Sequence, residues 1–483
     1  MFFALHKMRQ KMLTLLCENS RKRKRKKEKK KRCEMAKQYV CDMTSGNEMS
    51  LLIKFSVPML IGNIFQQFYN MVDSVIVGNY VGKSALAAVG MTSSLNFLYF
   101  SLCNGFATGA GVLMSQYFGM KNEKRVKDCI GNSVYLMFGM GLLVSIVSFL
   151  LAGPVLAMLN TPDAIFAEAR SYLQIVCAGL ISVVFYNGIS AMLRALGDSK
   201  TPLIFLVVAS VLNVAGDLLF VLVFDMGVAG VAWATILAQA LSAIGCTVYA
   251  VAKNPYFRLT KENFRPDRII IERCLKLGIP LGAQGSLIAV SCVALQGVIN
   301  RFGEDVIAAF AATSRIEQLV HQPFNSLSMA LATFSGQNLG AGNLDRVKNG
   351  YRSSEKLVIG FSIVMLLMMY VWGNDFVRIF VNDENVIAIG GRALQILAWF
   401  FIPLGYIYIA RSVLNGAGDS FFAFISGLVE VIGRIGFSIA LAAVPVIGYW
   451  AVWYTTGLTW LITAAVCVAR YVQGKWKKIS LGE

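Results

Sequence analysis

The chain has 483 residues, 56% of them hydrophobic and only 15% charged, against roughly 25% charged in soluble proteins, and its mean hydropathy is +0.60. That balance excludes a soluble multidomain enzyme and describes an all-α integral membrane protein. The net charge of +18 is no sign of a nucleic-acid binder, because residues 1–40 alone hold 15 Lys/Arg against 3 Asp/Glu.

In chain order, residues 1–42 come first, centred on RKRKRKKEKKKR (Arg21 to Arg32). Such a run suits anionic lipid or nucleic acid. The simpler reading is a disordered cytoplasmic tail, with no nucleic-acid partner. Twelve apolar segments of spanning length follow, at 51–80, 85–118, 129–153, 165–193, 201–224, 228–252, 275–300, 306–338, 354–374, 387–414, 420–444 and 447–471. The loops KNEKRVKD and KNPYFRLTKENFRPDRIIIERCLK and the C-terminal KWKK are basic, whereas NTPDAIFAE, FDMG and VPVIG are not. This bias predicts that both termini are cytoplasmic. The Cys residues lie scattered without a CxxC pair, so neither disulfides nor a metal cage is expected.

The chain repeats itself. SQYFGMKNEKRVK (115–127) returns as GQNLGAGNLDRVK (336–348), YLQI (172–175) as ALQI (393–396), and RALGDS (194–199) as NGAGDS (415–420), all at an offset of 221 residues. Because six is even, the two six-helix halves are parallel repeats about an axis along the membrane normal. The expected organisation is a tail (1–42), an N-lobe (43–252), a cytoplasmic linker (253–274), a C-lobe (275–474) and a cytoplasmic C-terminus (475–483). That plan suits a transporter with its pathway between two lobes.

Polar residues inside the spans are the functional candidates, since they are costly in hydrocarbon. In span 1, Gln66, Tyr69, Asn70 and Asp73 recur at helical spacing and share one face. Span 5 places Asn213 and Asp217 four residues apart in an otherwise apolar helix, and span 6 carries Thr235. Interhelical hydrogen bonding explains many membrane Asn and Gln, but an ionisable acid is a poor choice for that purpose. Buried carboxylates with amide and hydroxyl oxygens suit a proton or a small hard cation. In the second half, Glu430 and Arg434 are four apart and read first as an ion pair, and Arg315, Glu317 and His321 as a polar network. Glu317, Glu430 and Arg434 are the possible C-lobe site. Pro58 removes a hydrogen bond from span 1 and is a candidate hinge. Gly105 and Gly109 form a GxxxG for close helix packing. GNYVGKS (78–84) is one residue short of a phosphate loop, which excludes an ATP-driven pump.

The stretch VPMLIGNIFQQFYNMVDSVIVGNYVGKSALAAVG, the paired SQYFG and GQNLGAG ends of spans 2 and 8, and the paired GDS turns resemble the multidrug and toxic compound extrusion (MATE) transporters over about residues 43–475. The resemblance implies a V-shaped twelve-helix fold and cation-driven efflux of bulky, often cationic organic compounds. It implies an ion-coupling cluster at Asp73, Asn213, Asp217 and Thr235, and lobe-lining positions at Tyr172 and Asn187 beside Gln66, Tyr69 and Asn70. A branch of the family that binds Na⁺ through acids on spans 7 and 10 finds no counterpart here. The expected function is a secondary antiporter of the cell membrane, acting as a monomer, with small-molecule organic substrates and no cofactor beyond H⁺ or Na⁺ as coupling ion. The rival readings are a lipid-linked oligosaccharide flippase of the related superfamily and a non-transporting membrane scaffold. A flippase calls for several cations in its cavity, and a scaffold leaves the Asp73–Asp217 pair unexplained.

Overall fold

The structure, a computed structural model, describes residues 41–159 and 161–478. The basic run Arg21 to Arg32 lies outside them. Among the described residues the chain is helical throughout: α1 (Glu48–Ile76), α2 (Lys83–Gly119), α3 (Glu123–Met158), α4 (Asp163–Ala195), α5 (Lys200–Leu218), α6 (Gly227–Lys253), α7 (Arg268–Ile299), α8 (Glu304–Gly340), α9 (Leu344–Arg378), α10 (Glu384–Ala398), α11 (Phe401–Ala417), α12 (Ser420–Ala442) and α13 (Ala451–Gln473). Together α10 and α11 make one span bent by 50°. The sequence predicts an unbroken helix over 387–414. Pro403 explains the break: it has no N–H to give the Trp399 carbonyl and its ring crowds that turn, so the helix restarts at Phe401. With that pair as one, the fold has twelve spans in two halves of six. Ten of the helices, eleven with the bent pair, are individually apolar enough to cross a membrane. The twelfth, α8, matches α2 in length at 37 residues but carries Arg315, Glu317 and His321.

Several helices extend beyond their apolar runs. α3 begins six residues before the predicted span and α7 seven, because each has a polar cap: the Asn122 side chain accepts the Arg125 N–H, and Asp267 accepts those of Ile269 and Ile270. Hydropathy marks only the part of a helix that sits in lipid.

The lobes meet along α1, α2, α7 and α8. A Cβ on Gly109 would lie 2.8 Å from the Gly278 nitrogen, and one on Gly278 2.9 Å from Phe106 Cα, so both must be glycine for α2 and α7 to cross this closely. α1 is shared between the halves. Its first turns place Leu52, Phe55 and Met59 in the C-lobe core with Leu331 and Phe334, whereas its later turns pack on α5 of the N-lobe. Pro58 lies where the two allegiances meet. Among the described residues, the lobe-to-lobe hydrogen bonds all fall in the half of the bundle that carries the basic loops. The one furthest from that end is Asn63 Nδ2 to Ser326 Oγ, at 3.1 Å. Beyond it no hydrogen bond among the described residues joins the two lobes, and the region between them there is the interlobe cleft.

Candidate ion-coupling site

The C-terminal ends of α1 and α5 both leave α-helical geometry. The Gly82 N–H donates to the Val77 carbonyl at 3.0 Å and the Phe224 N–H to the Leu219 carbonyl at 3.1 Å, each five residues back. These π turns, Val77–Val81 and Leu219–Val223, follow Asp73 by four residues and Asp217 by two. Such turns widen a helix locally and occur often at functional sites. Nothing in the residue pattern announces them.

Between the two helices the carboxyl groups of Asp73 and Asp217 stand within hydrogen-bonding reach of each other. Asp217 is fully buried and Asn213, one turn earlier on α5, is nearly so. The Asn213 Nδ2 donates to Thr235 Oγ1 of α6 at 3.3 Å, and that hydroxyl donates to the Val231 carbonyl at 3.0 Å. Both donors thereby point away from the carboxyls. Four buried acceptor oxygens are left with no protein donor: Asp73 Oδ1, Asp217 Oδ1 and Oδ2, and Asn213 Oδ1. Buried acceptors without donors are costly. A proton between the carboxyls, or a hard cation among the oxygens, removes that cost.

Tyr69 and Tyr172 lie close enough to sense both carboxylates, and the Tyr69 hydroxyl is within reach of Gln66. Asn70 behaves differently. It is exposed, on the stripe Asn63, Gln67, Asn70, Ser74 that faces the cleft rather than α5. Asn187 is remote: fifteen residues beyond Tyr172, it lies about 22 Å further along α4 and bonds to its own helix at the Val183 carbonyl. An apolar groove of about 420 Å³ lies between Phe65, Phe68 and Val72 of α1 and Val207, Val211 and Leu218 of α5.

The C-lobe candidates form a different arrangement. Glu430 accepts from Arg434 and from Arg411, each at 3.4 Å. Arg434 also donates to Cys292 Sγ at 2.9 Å, and Arg411 faces the Gln284 amide oxygen. Glu317 pairs with His321 at 3.4 Å, and the His321 ring meets the Tyr408 hydroxyl at 3.2 Å. Arg411 is the residue that sequence reasoning missed. A lone Arg in the apolar run IYIARSV is a detectable signal, masked by its nearness to the GDS turn. On α8, Arg315 is exposed and shares a helical face with Gln322 and Ser326, which places it on the C-lobe wall of the cleft.

Two pseudo-symmetric lobes about a cleft, with an unsatisfied carboxylate pair in one of them, define the class as a membrane transporter rather than an enzyme. The MatE family model matches residues 58–219 and 280–440. The chain is 30% identical to "Probable multidrug resistance protein YpnP" of Bacillus subtilis, covering 91% of this chain and 98% of that one. It is 24% identical to "Probable multidrug resistance protein NorM" of Thermotoga maritima, over 88% and 93%. Among solved structures it superposes on an outward-facing multidrug resistance MATE family transporter with TM-score 0.85 at 20% identity, covering 91% of this chain and 98% of that one. A Pyrococcus furiosus MOP superfamily transporter, described as having a binding pocket of reversed polarity, gives 0.84 at 21%, with the same coverage. The chain belongs to the MATE family of transporters.

Proposed function

We propose that this chain is a secondary antiporter that exports bulky organic cations in exchange for H⁺ or Na⁺, with both termini cytoplasmic and the monomer as the working unit. The observation that carries the reading is the set of four donorless buried oxygens on Asp73, Asn213 and Asp217. When empty, the pair is anionic and attracts a cationic cargo to the N-lobe. Loading one proton or Na⁺ removes one unit of that negative charge and weakens the attraction. A ligand shifts a conformational equilibrium only by binding its states unequally, and this difference in charge supplies the inequality. One-for-one exchange of monovalent cations moves no net charge, so the ion's concentration gradient is the drive: a tenfold inward gradient supplies about 1.4 kcal/mol and sustains about a tenfold outward gradient of cargo. The names of the relatives, multidrug resistance proteins, support the direction of transport.

The flippase reading needs several free cations along the cavity. Arg411 and Arg434 are instead tied to Glu430, and of the C-lobe arginines discussed only Arg315 has no ion pair among the described residues. The test is ethidium efflux from proteoliposomes under separately imposed inward proton and sodium gradients. One gradient should drive efflux. Equal efflux with both gradients dissipated would contradict the proposal.

A further inference from the structure

The repeat motifs that resemblance alone leaves unexplained, the SQYFG and GQNLG helix ends and the GDS turns, meet each other across the lobe boundary. Gln116 Nε2 at the end of α2 donates to the Gly416 carbonyl at 2.8 Å, and Gln337 Nε2 at the end of α8 donates to the Ala195 carbonyl at 2.9 Å. Both donors and both acceptors are 221 residues apart, so these are one bond made twice by the pseudo-two-fold axis. Each reaches from the signature helix of one lobe to the last turn before the GDS motif of the other. The glutamines are 6% and 0% exposed, so water does not compete for these carbonyls. The crossing itself is backbone on backbone: a Cβ on Gly119 would strike the Gln337 backbone, and one on Gly340 the Gln116 backbone.

Two lead-in segments reinforce the same end. The one before α1 crosses to the C-lobe. The Met43 N–H donates to Gln337 Oε1 at 2.9 Å, Asn338 holds the Met43 carbonyl at 3.1 Å, and Arg346 bonds the Gly46 carbonyl at 3.0 Å and Glu48 at 3.3 Å. The one before α7 crosses to the N-lobe, where Arg125 pairs with Asp267 at 2.6 Å and Tyr135 holds the Phe264 carbonyl at 2.8 Å. Arg125 and Arg346 are again 221 apart.

We infer that Gln116 and Gln337, with the two arginine-held lead-in segments, form the gate that closes the basic-loop end of the cleft, and that they set the balance between the two access states. Alternating access requires this end to part, and these bonds must break when it does. The Asp73–Asp217 pair lies far from the gate, but α1 joins the two: its first turns sit in the C-lobe core and its later turns carry Asp73. Gln337 holds the stronger half, since its amide serves the opposite lobe and the α1 lead-in at once.

The test places spin labels at Lys124 and Asn343, both exposed and in opposite lobes, in otherwise intact protein, and reads the distance distribution between them. Each glutamine bond, at the usual net strength, corresponds to about fivefold in the equilibrium. Gln116→Ala and Gln337→Ala should each move the population about fivefold toward the separated state, and the double variant about thirtyfold. Gln337→Glu tests the chemistry at constant size. A carboxylate still accepts the Met43 N–H but cannot donate to Ala195, and should open the gate at least as far as alanine. If the double variant does not fold, Gln337→Glu and Arg346→Gln carry the test. Unchanged distances in folded variants, with only a lowered melting temperature, would reduce the glutamines to packing residues and overturn the inference. The readout needs no ion gradient, so it stands apart from the coupling assay.

Discussion

The two lobes repeat one scaffold and differ in the charge they bury. Along the repeat, Asn213 corresponds to Arg434, Asp217 to Ser438 and Thr235 to Thr456, and the counterpart of Asp73 falls at Ala294 or Leu295. Thr235 and Thr456 even keep the same bond, to the Val231 carbonyl at 3.0 Å and the Val452 carbonyl at 3.3 Å. Around these shared positions the C-lobe closes its charges on themselves: Glu430 is held between Arg411 and Arg434. The N-lobe does not, and leaves acceptors without donors. Duplication thus copied the framework while the chemistry diverged. The C-lobe's buried carboxylate is paired, with two guanidiniums on it, whereas the N-lobe's two carboxyls have no cationic partner among the described residues.

The strongest way to break this contrast is to neutralise the acids. Asp73→Asn and Asp217→Asn keep volume and should each fold, reach the membrane and lose gradient-driven efflux by about a hundredfold or more, as read in proteoliposomes at matched protein levels. Glu430→Gln should do the opposite. Leaving Arg411 and Arg434 without a counter-charge should lower stability by about 3–5 kcal/mol, read by thermal unfolding, while coupling per folded molecule stays near the parent value. Substitutions that only weaken the N-lobe cluster should fall between. Asn213→Ala and Thr235→Val should reduce apparent coupling-ion affinity by about tenfold without abolishing transport, measured from efflux against pH or Na⁺ concentration.

The smallest effect should come from the basic-loop surface. Burial raises the Asp267 carboxyl, but the Ile270 and Ile269 N–H groups and the Arg125 guanidinium outweigh it and hold it below its ordinary 3.8. A depressed carboxyl adds stability above its unfolded value and loses it as pH falls through the folded one. The Arg125–Asp267 contact should therefore be unchanged from pH 8 to pH 5 and weaken only below about 4. Asp267→Asn should remove that acid-side loss, as seen in unfolding at pH 3 against pH 7, and should shift the gate's distance distribution less than either glutamine variant.

Much of this was legible in the residues. Twelve spans, two halves and the offset of 221 follow from hydropathy and self-similarity, and the i, i+4 pair Asn213–Asp217 marks its own face. What periodicity could not resolve is direction around a helix. Asn70 shares a nominal stripe with Asp73, yet the structure turns Asp73 toward Asp217 and Asn70 toward the cleft. Nor could it show the π turns after both acids, which have no composition signal, or the break at Trp399–Phe400, which depends on a proline three residues later. Arg411 escaped because its meaning lies in Glu430 and Gln284, distant in sequence. The glutamines of the gate were visible as repeats, but only the crossing of α2 and α8 shows what they bond.

The most direct test of the central claim, that the Asp73–Asp217 pair binds the coupling ion, is the affinity of a cationic cargo from pH 6 to pH 8, with and without Na⁺, in the parent and in Asp217→Asn. In the parent, affinity should rise as protons or Na⁺ are withdrawn and the pair becomes anionic, and the variant should bind weakly and independently of both. A variant that keeps the parent's dependence on pH or Na⁺ would place the coupling site elsewhere.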